Sequence, residues 1–399
     1  VLCVQDKNNY HLHMMRRTFL FRALQGLAGA ALLSRAPAGL AASAPPPVQH
    51  LAMAWREPAR TDGTEADRVG VMAIDWAQGR MAVLASHPAP GRAHGLLLLP
   101  DGGFLAVATR PGRWLLRCDA QGQVVGRHDL AAGPSDRTLN GHAERLAGDD
   151  RHIVTTETDP VRDEGWLVLR DLRTLQAVAA WRLPGRDPHQ VLSAADGSLM
   201  VALGGLPRDR AGRKIDLGRM DPSLVRLDPA RGETTGQWRL DDPRLSLRHL
   251  AWSAGPDEAS GARLGVALQA EHDDLAVRRQ APVLAVWAAD DRLRVASADA
   301  RAGGYTGDIA AGPQGGFVVS AEKVAQGLWW RPEGPDALTR IAELGEVCPL
   351  AAWQDRTGHG VLLGARRGLA RWHTGLPPAM LPWPIAMAPD NHAVLLPAA

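Results

Sequence analysis

Lysine is almost missing: Lys7, Lys214 and Lys323 are the only three, and arginine supplies the rest of the 45 basic side chains. Against 43 acidic residues this leaves a formal charge of +2, which gives no support to a nucleic-acid partner or an anionic membrane surface. The arginines are scattered, as expected of solvated faces. Cysteine is equally scarce, with Cys3, Cys118 and Cys348 and no CxxC or CxxCH spacing, so covalent haem attachment is excluded. There is no glycine-rich phosphate loop. No serine sits on a nucleophile elbow, and Ser246-Leu247-Arg248-His249 does not suggest a catalytic triad. The weakly apolar stretch 23–33 is too short to anchor the chain across a bilayer. Phenylalanine (4) and tyrosine (2) are rare, whereas tryptophan (13) is common and is expected in the gaps between sheets.

What is present is a repeat. His94, His142 and His189 are each followed seven residues later by aspartate (Asp101, Asp149, Asp196) and then by a short apolar run. Asp308 leads in the same way to Gly315-Gly316, and Cys348 to Asp355. His249 heads a looser copy with an insertion near 255–261. Each copy reads as strand, tight turn, strand, and a second hairpin follows it. The unit is therefore four short strands over about 40–60 residues, the size of one propeller blade. Six complete units fall at 94–130, 142–183, 189–240, 249–298, 307–344 and 347–382. Two half units remain. Residues 385–396 read as a hairpin turning at Pro389-Asp390-Asn391, and 68–86 as a hairpin turning at Ala77-Gln78-Gly79. Their union predicts an all-β, seven-bladed β-propeller whose last blade is shared by the two ends of the chain, with the C-terminal half inside and the N-terminal half outside.

The domain plan that follows is a leader at 1–44, a linker or partly ordered lead-in at 45–67, and one propeller over 68–399. The leader has paired arginines in Met15-Arg16-Arg17-Thr18-Phe19-Leu20, then the apolar stretch, then small residues at 36–44. This resembles a twin-arginine signal peptide, so the mature chain is expected in the periplasm, without a membrane span. Cleavage is expected between Ala38 and Ala44. Residues 1–13 read as an upstream extension before Met14 or Met15. Cys118 and Cys348 are both expected to be free thiols.

The first residue of each innermost strand should lie at one mouth of the central channel. These heads are His94, His142, His189, His249, Asp308 and Cys348, with Trp383 as the seventh by the same offset from Asp390. Imidazole and thiolate suit zinc, copper or iron, and a carboxylate adds affinity for harder ions. A wide channel should let one ion reach two or three neighbouring heads directly, with His94, His142 and His189 preferred. Returning strands should bring Arg110, Glu157, Asp159, Glu271, His272, Glu322 and Arg367 to the same face, together with the long connections 204–222 and 270–282. A histidine at a blade head also has a purely structural reading, hydrogen-bonding its own turn, and Gly141-His142 is similar to the Gly-His pair of WD repeats.

Several segments taken in order resemble the bacterial family catalogued as domain of unknown function 1513. They include Arg92-Ala93-His94-Gly95, Asn140-Gly141-His142, Thr156-Glu157-Thr158-Asp159, Asp187-Pro188-His189-Gln190, Leu245-Ser246-Leu247-Arg248-His249-Leu250 and Glu346-Val347-Cys348. The chain departs from the family pattern at Gln190, where glutamate is usual, and at Thr158, where asparagine is usual. The resemblance implies a periplasmic propeller accessory to iron uptake, with imelysin-like or dihaem peroxidase-like periplasmic proteins as partners. The expectation is a non-enzymatic protein binding iron or another transition metal, or a metal-bearing partner, through His94, His142, His189, His249, Asp308 and Cys348. Glu157, Arg248 and Glu322 would orient ligands or bind the partner. The alternatives are a metal-dependent or redox enzyme using the channel, and a pure docking platform.

Overall fold

The computed structural model describes residues 48–58, 66–130, 137–253, 262–288, 290–297, 300–335, 337–355 and 358–397. The leader, with its paired arginines and cleavage region, lies outside the described residues, as does the insertion at 254–261. No helix among the described residues is long and apolar enough to cross a membrane.

Seven four-stranded antiparallel sheets form a ring, each a blade. Blades one to six span 93–129, 138–182, 188–238, 245–295, 309–343 and 350–382 in chain order. The innermost strands are Ala93–Leu98, Thr138–Leu146, Pro188–Ser193, Leu245–Trp252, Ile309–Ala311 and Leu350–Asp355. Blade seven closes the ring. Its innermost strand, Ala388–Leu396, pairs with Gln49–Arg56, which is followed outward by Asp67–Asp75 and Arg80–Pro88.

Closure therefore divides one strand against three, where the sequence suggested two against two. Residues 49–56, set aside above as a lead-in, form the second strand of the closing blade. Pro389-Asp390-Asn391 is not a hairpin turn. It falls within one continuous strand, at a break in register opposite Met53 and Trp55. Arg92 fastens this seam from blade one, with its Nε 2.6 Å from Asp390 Oδ2 and its Nη2 donating to Asn391 Oδ1 at 2.9 Å.

The blades stand radially, so both faces of each sheet are buried against neighbours and the apolar core lies between blades. One cluster joins Leu51, Met53 and Trp55 of blade seven to Trp353 and Leu362 of blade six. Another joins Val154 and Leu167 of blade two to Val191 and Val201 of blade three. Phe317 of blade five, fully buried, packs in a cluster with Ala251 and Ala267 of blade four. Removing such a ring leaves a cavity and costs ~3–5 kcal/mol. Tryptophans serve as wedges: Trp238 of blade three lies 5.5 Å from Trp287 of blade four, and Trp329 of blade five 5.4 Å from Trp372 of blade six. Cys118 and Cys348 are free and buried.

One carboxyl in this packing stands out. Glu144, on the innermost strand of blade two, is pushed up to about 8 by burial, against the backbone N–H groups of Ser193 and Arg145 that lower it. The folded protein thus keeps a proton that the unfolded chain gives up near the ordinary glutamate value. The associated stability is present in acid and is lost as pH rises through about 8. Glu144→Gln should raise the melting free energy at pH 8 by about 1–2 kcal/mol and leave it unchanged at pH 4. Chemical denaturation at the two pH values checks this.

Candidate metal centre

A radial sheet presents only the edge of its innermost strand to the axis. Regular strands send side chains to the two faces, hence into the neighbouring blades. Aiming a side chain down the channel requires a break in the ladder, and this chain makes the same break five times. His94-Gly95 oppose Val107, His189-Gln190 oppose Ala202, and Arg248-His249 oppose Ala267, two residues against one. Asn140–His142 oppose Thr156, and Asp390–His392 oppose Ala54, three against one. Such bulges re-aim side chains, and every one contains a histidine.

The five imidazoles meet. Ring centroids lie 4.8 Å apart for His94 and His142, 4.9 Å for both His94–His392 and His142–His392, and 4.5 Å for His189–His249 and His249–His392. Even His94 and His249, from non-adjacent blades, are 5.7 Å apart. The channel is closed here by the rings themselves, so more heads converge than the two or three expected. Each histidine is less than a tenth exposed. The backbone makes room: Gly141 has φ 101°, and a Cβ there would lie 2.6 Å from the His94 ring.

His392 is the member that sequence reasoning missed. Trp383, chosen in its place, donates its indole N–H to the Ala365 carbonyl at 2.8 Å. Asp308 and Cys348 precede their strands rather than sitting in bulges. Asp308 faces the cluster through His392, with Oδ1 3.2 Å from His392 Nδ1, and also accepts from the backbone N–H groups of Ile309 and Leu350. Cys348 lies 4.0 Å from the Asn391 carbonyl oxygen. A Cβ at Gly307 would meet Cys348 Sγ at 2.9 Å and Glu322 Oε2 at 3.6 Å, so this thiol and carboxylate share a neighbourhood. Burial, then Asp308, Glu322 and Asp390, push the Cys348 thiol well above its ordinary value, keeping it protonated. Glu157 is engaged elsewhere, 2.5 Å from Arg170 Nη2 and 3.7 Å from Arg137 Nε. Asp159 is bound by Arg162, His272 by Asp242, and Arg367 is exposed.

The hydrogen-bond network assigns the protons. Arg110 donates to His189 Nδ1, so His189 carries its hydrogen on Nε2 and donates it to His249 Nε2 at 2.8 Å. His392 donates from Nδ1 to Asp308, leaving an Nε2 lone pair 3.1 Å from the same His249 nitrogen. His94 Nε2 and His142 Nε2 are buried with no hydrogen-bond partner. Lone pairs and orphaned nitrogens thus crowd one point. Burial first, then neighbouring histidines and Arg110, hold His94, His142, His189 and His249 well below their ordinary values. Neutral imidazole is the form that binds metals. One ring nitrogen each from His94, His142, His249 and His392 lies within 4.8 Å of the others, and this cluster can hold a metal ion. Four nitrogens ~2.1 Å from one tetrahedral ion lie ~3.4 Å apart, so the ring would draw together on binding.

A family model described as a protein of unknown function, DUF1513, matches residues 87–396. The chain belongs to this family. The DUF1513 match covers all five histidine bulges. No curated protein matches the chain. Among solved structures it is similar to the periplasmic gluconolactonase of Pseudomonas aeruginosa, at 16% identity and a TM-score of 0.53 over 88% of this chain and 100% of that one. It is also similar to a functionally unknown protein from Desulfotomaculum acetoxidans, at 11% identity and a TM-score of 0.51 over 86% and 99%. At these identities the likeness is one of fold.

The buried neutral histidines make the ring acid-sensitive. Their folded values lie below that of the unfolded chain, so unfolding takes up protons as pH falls through ~6.5. Stability present above that value is lost below it, by up to ~1.4 kcal/mol per pH unit for each histidine. Metal-free protein should therefore melt at a steeply lower temperature at pH 5.5 than at pH 7.5, and His142→Ala should flatten that slope. Calorimetry at a series of pH values reads both.

Proposed function

We propose that this protein binds a transition-metal ion in the imidazole ring and serves iron acquisition in the periplasm, as a binding protein and not as an enzyme. The observation that carries the reading is the convergence of buried, neutral and partly unsatisfied imidazole nitrogens on one point. Their partners are what a metal site requires. Asp308 holds His392 through Nδ1, the carboxylate–histidine pairing that orients metal ligands and raises their basicity. An all-nitrogen donor set of borderline softness suits Fe(II), Co(II), Ni(II), Cu(II) and Zn(II) and disfavours magnesium and calcium. In this reading His94, His142, His249 and His392 are ligands. His189 is the fifth imidazole, joined to them through His249, and Asp308 acts through His392. The protonated Cys348 thiol stands aside.

Iron as the ion and the periplasm as the compartment rest on the family resemblance and on the paired arginines of the leader. The connection 204–222 is tied across this face by Arg208 to Asp187 and by Lys214 to Glu271.

Titration of metal-free protein with Co(II), followed by the visible d–d bands, should show one equivalent bound. His142→Ala and His392→Ala should each weaken binding about 100-fold or more, and Asp308→Asn about 10-fold. His128→Ala, outside the ring, should change nothing. Because burial holds His94, His142 and His249 well below their ordinary values, affinity should fall little from pH 8 to pH 6. An exposed histidine site would lose affinity over that range as its ligands protonate. Absence of any saturable Co(II) or Fe(II) binding removes the proposal.

Export is testable separately. Replacing Arg16 and Arg17 by lysine in the full chain should leave the protein in the cytoplasm of the native host, as read by fractionation. Unchanged export would remove the twin-arginine assignment.

A further inference from the structure

Buried Arg248 and Asp187 and part-buried Arg110 and Arg208 lie directly beside the imidazole ring. Asp187, 2% exposed, accepts from Arg110, from Arg208 Nε at 2.9 Å and from Arg248 Nη1 at 3.0 Å. Gly204 belongs to the same construction, because a Cβ there would meet Asp187 Oδ2 at 2.4 Å and Arg248 Nη1 at 3.0 Å. Arg110 also donates to His189, and Arg248 shares a bulge with His249, so the triad adjoins the ring at two points. Lys214 and Glu271 pair alongside and cancel.

Three guanidinium groups against one carboxylate leave two positive charges over, and at Arg248, the most deeply buried of the three, uncompensated charge is costly. One donor is left over as well. Arg248 is 2% exposed, and its Nε is buried with no hydrogen-bond partner. The ring has the complementary deficit. Imidazole binds a metal as a neutral ligand, so an ion bound there would keep its full positive charge, with no anionic ligand from the ring. One species answers both: an anion with two separated oxygen groups. A planar carboxylate matches the forked geometry of guanidinium better than a point charge does.

We infer that the Arg110–Arg208–Arg248 cluster is the binding site of a small dicarboxylate, one carboxylate held by the arginines and the other facing the ion in the histidine ring. The inference rests on the metal reading for its second half only. The arginine site is defined without the ion, and its occupant makes the bound metal a mixed nitrogen–oxygen complex.

Oxalate is the probe, with inorganic phosphate and chloride for comparison. Isothermal titration of the metal-free full chain should show oxalate binding that Arg208→Gln weakens at least tenfold. Arg208→Lys should keep part of the affinity, and phosphate should bind more weakly than oxalate. Arg208 lies on the connection and outside the ring, so its variants should bind Co(II) as the parent does. In Co(II)-loaded protein, oxalate should shift the visible bands, and Arg208→Gln should need at least ten times more oxalate for the same shift. No oxalate binding by the folded parent, or equal affinity in Arg208→Gln, overturns the inference. So does oxalate that binds while the Co(II) bands stay still. Oxalate binding that depends on Arg208 in a protein unable to bind Co(II) upholds the anion site and overturns the metal reading instead.

Discussion

The site depends on a geometric limit of radial sheets. An innermost strand has no face toward the axis, only a row of backbone groups along one edge. A side chain reaches the axis where the strand is forced out of register, and the extra residue turns sideways. Five of the seven innermost strands of this chain do so, and each does it at a histidine. The bulges explain why the rings approach to 4.5–5.7 Å instead of lining a wide opening. They also explain the glycine before His142, whose left-handed backbone lets the His94 ring pass.

From that limit the chemistry follows. Crowding imidazoles away from water disfavours the charged forms of His94, His142, His189 and His249, because both desolvation and mutual repulsion act against protonation. Neutral imidazoles offer lone pairs, and too few protons are available to satisfy them. Asp308 on one side and the Arg110–Asp187 pair on the other fix which nitrogen of His392 and His189 carries hydrogen. Hydrogen bonds thus reach the ring from two sides, from Asp308 of blade five to His392 and from Arg110 through His189 to His249.

Much of the fold was legible because blade geometry imposes a fixed distance from the head of an innermost strand to its hairpin turn. That spacing located six blades to within about four residues, and four of the five ring histidines. It failed at His392 for the same reason that it worked elsewhere. The hairpin partner of that strand is Gln49–Arg56, more than three hundred residues away, so no turn follows from which to count. The bulge at Asp390 looked like a turn because turns and bulges favour the same residue types. The Asp187–Arg208 contact was illegible because a long connection makes it, and no periodicity governs where such a connection lands. Glu157 was placed by strand position alone. Its side chain points to Arg170 on the next strand, a choice that depends on local register rather than on residue type.

The seam of the ring and the heart of the site are made of the same strand. His392 lies in an innermost strand contributed by the opposite end of the chain from its blade-mates, hydrogen-bonded along Gln49–Arg56. A cation gripping His392 together with His94 and His142 would act as a rivet between first and last segments. Its binding energy would then be drawn on twice, once to hold the ion and once to resist the ring springing apart.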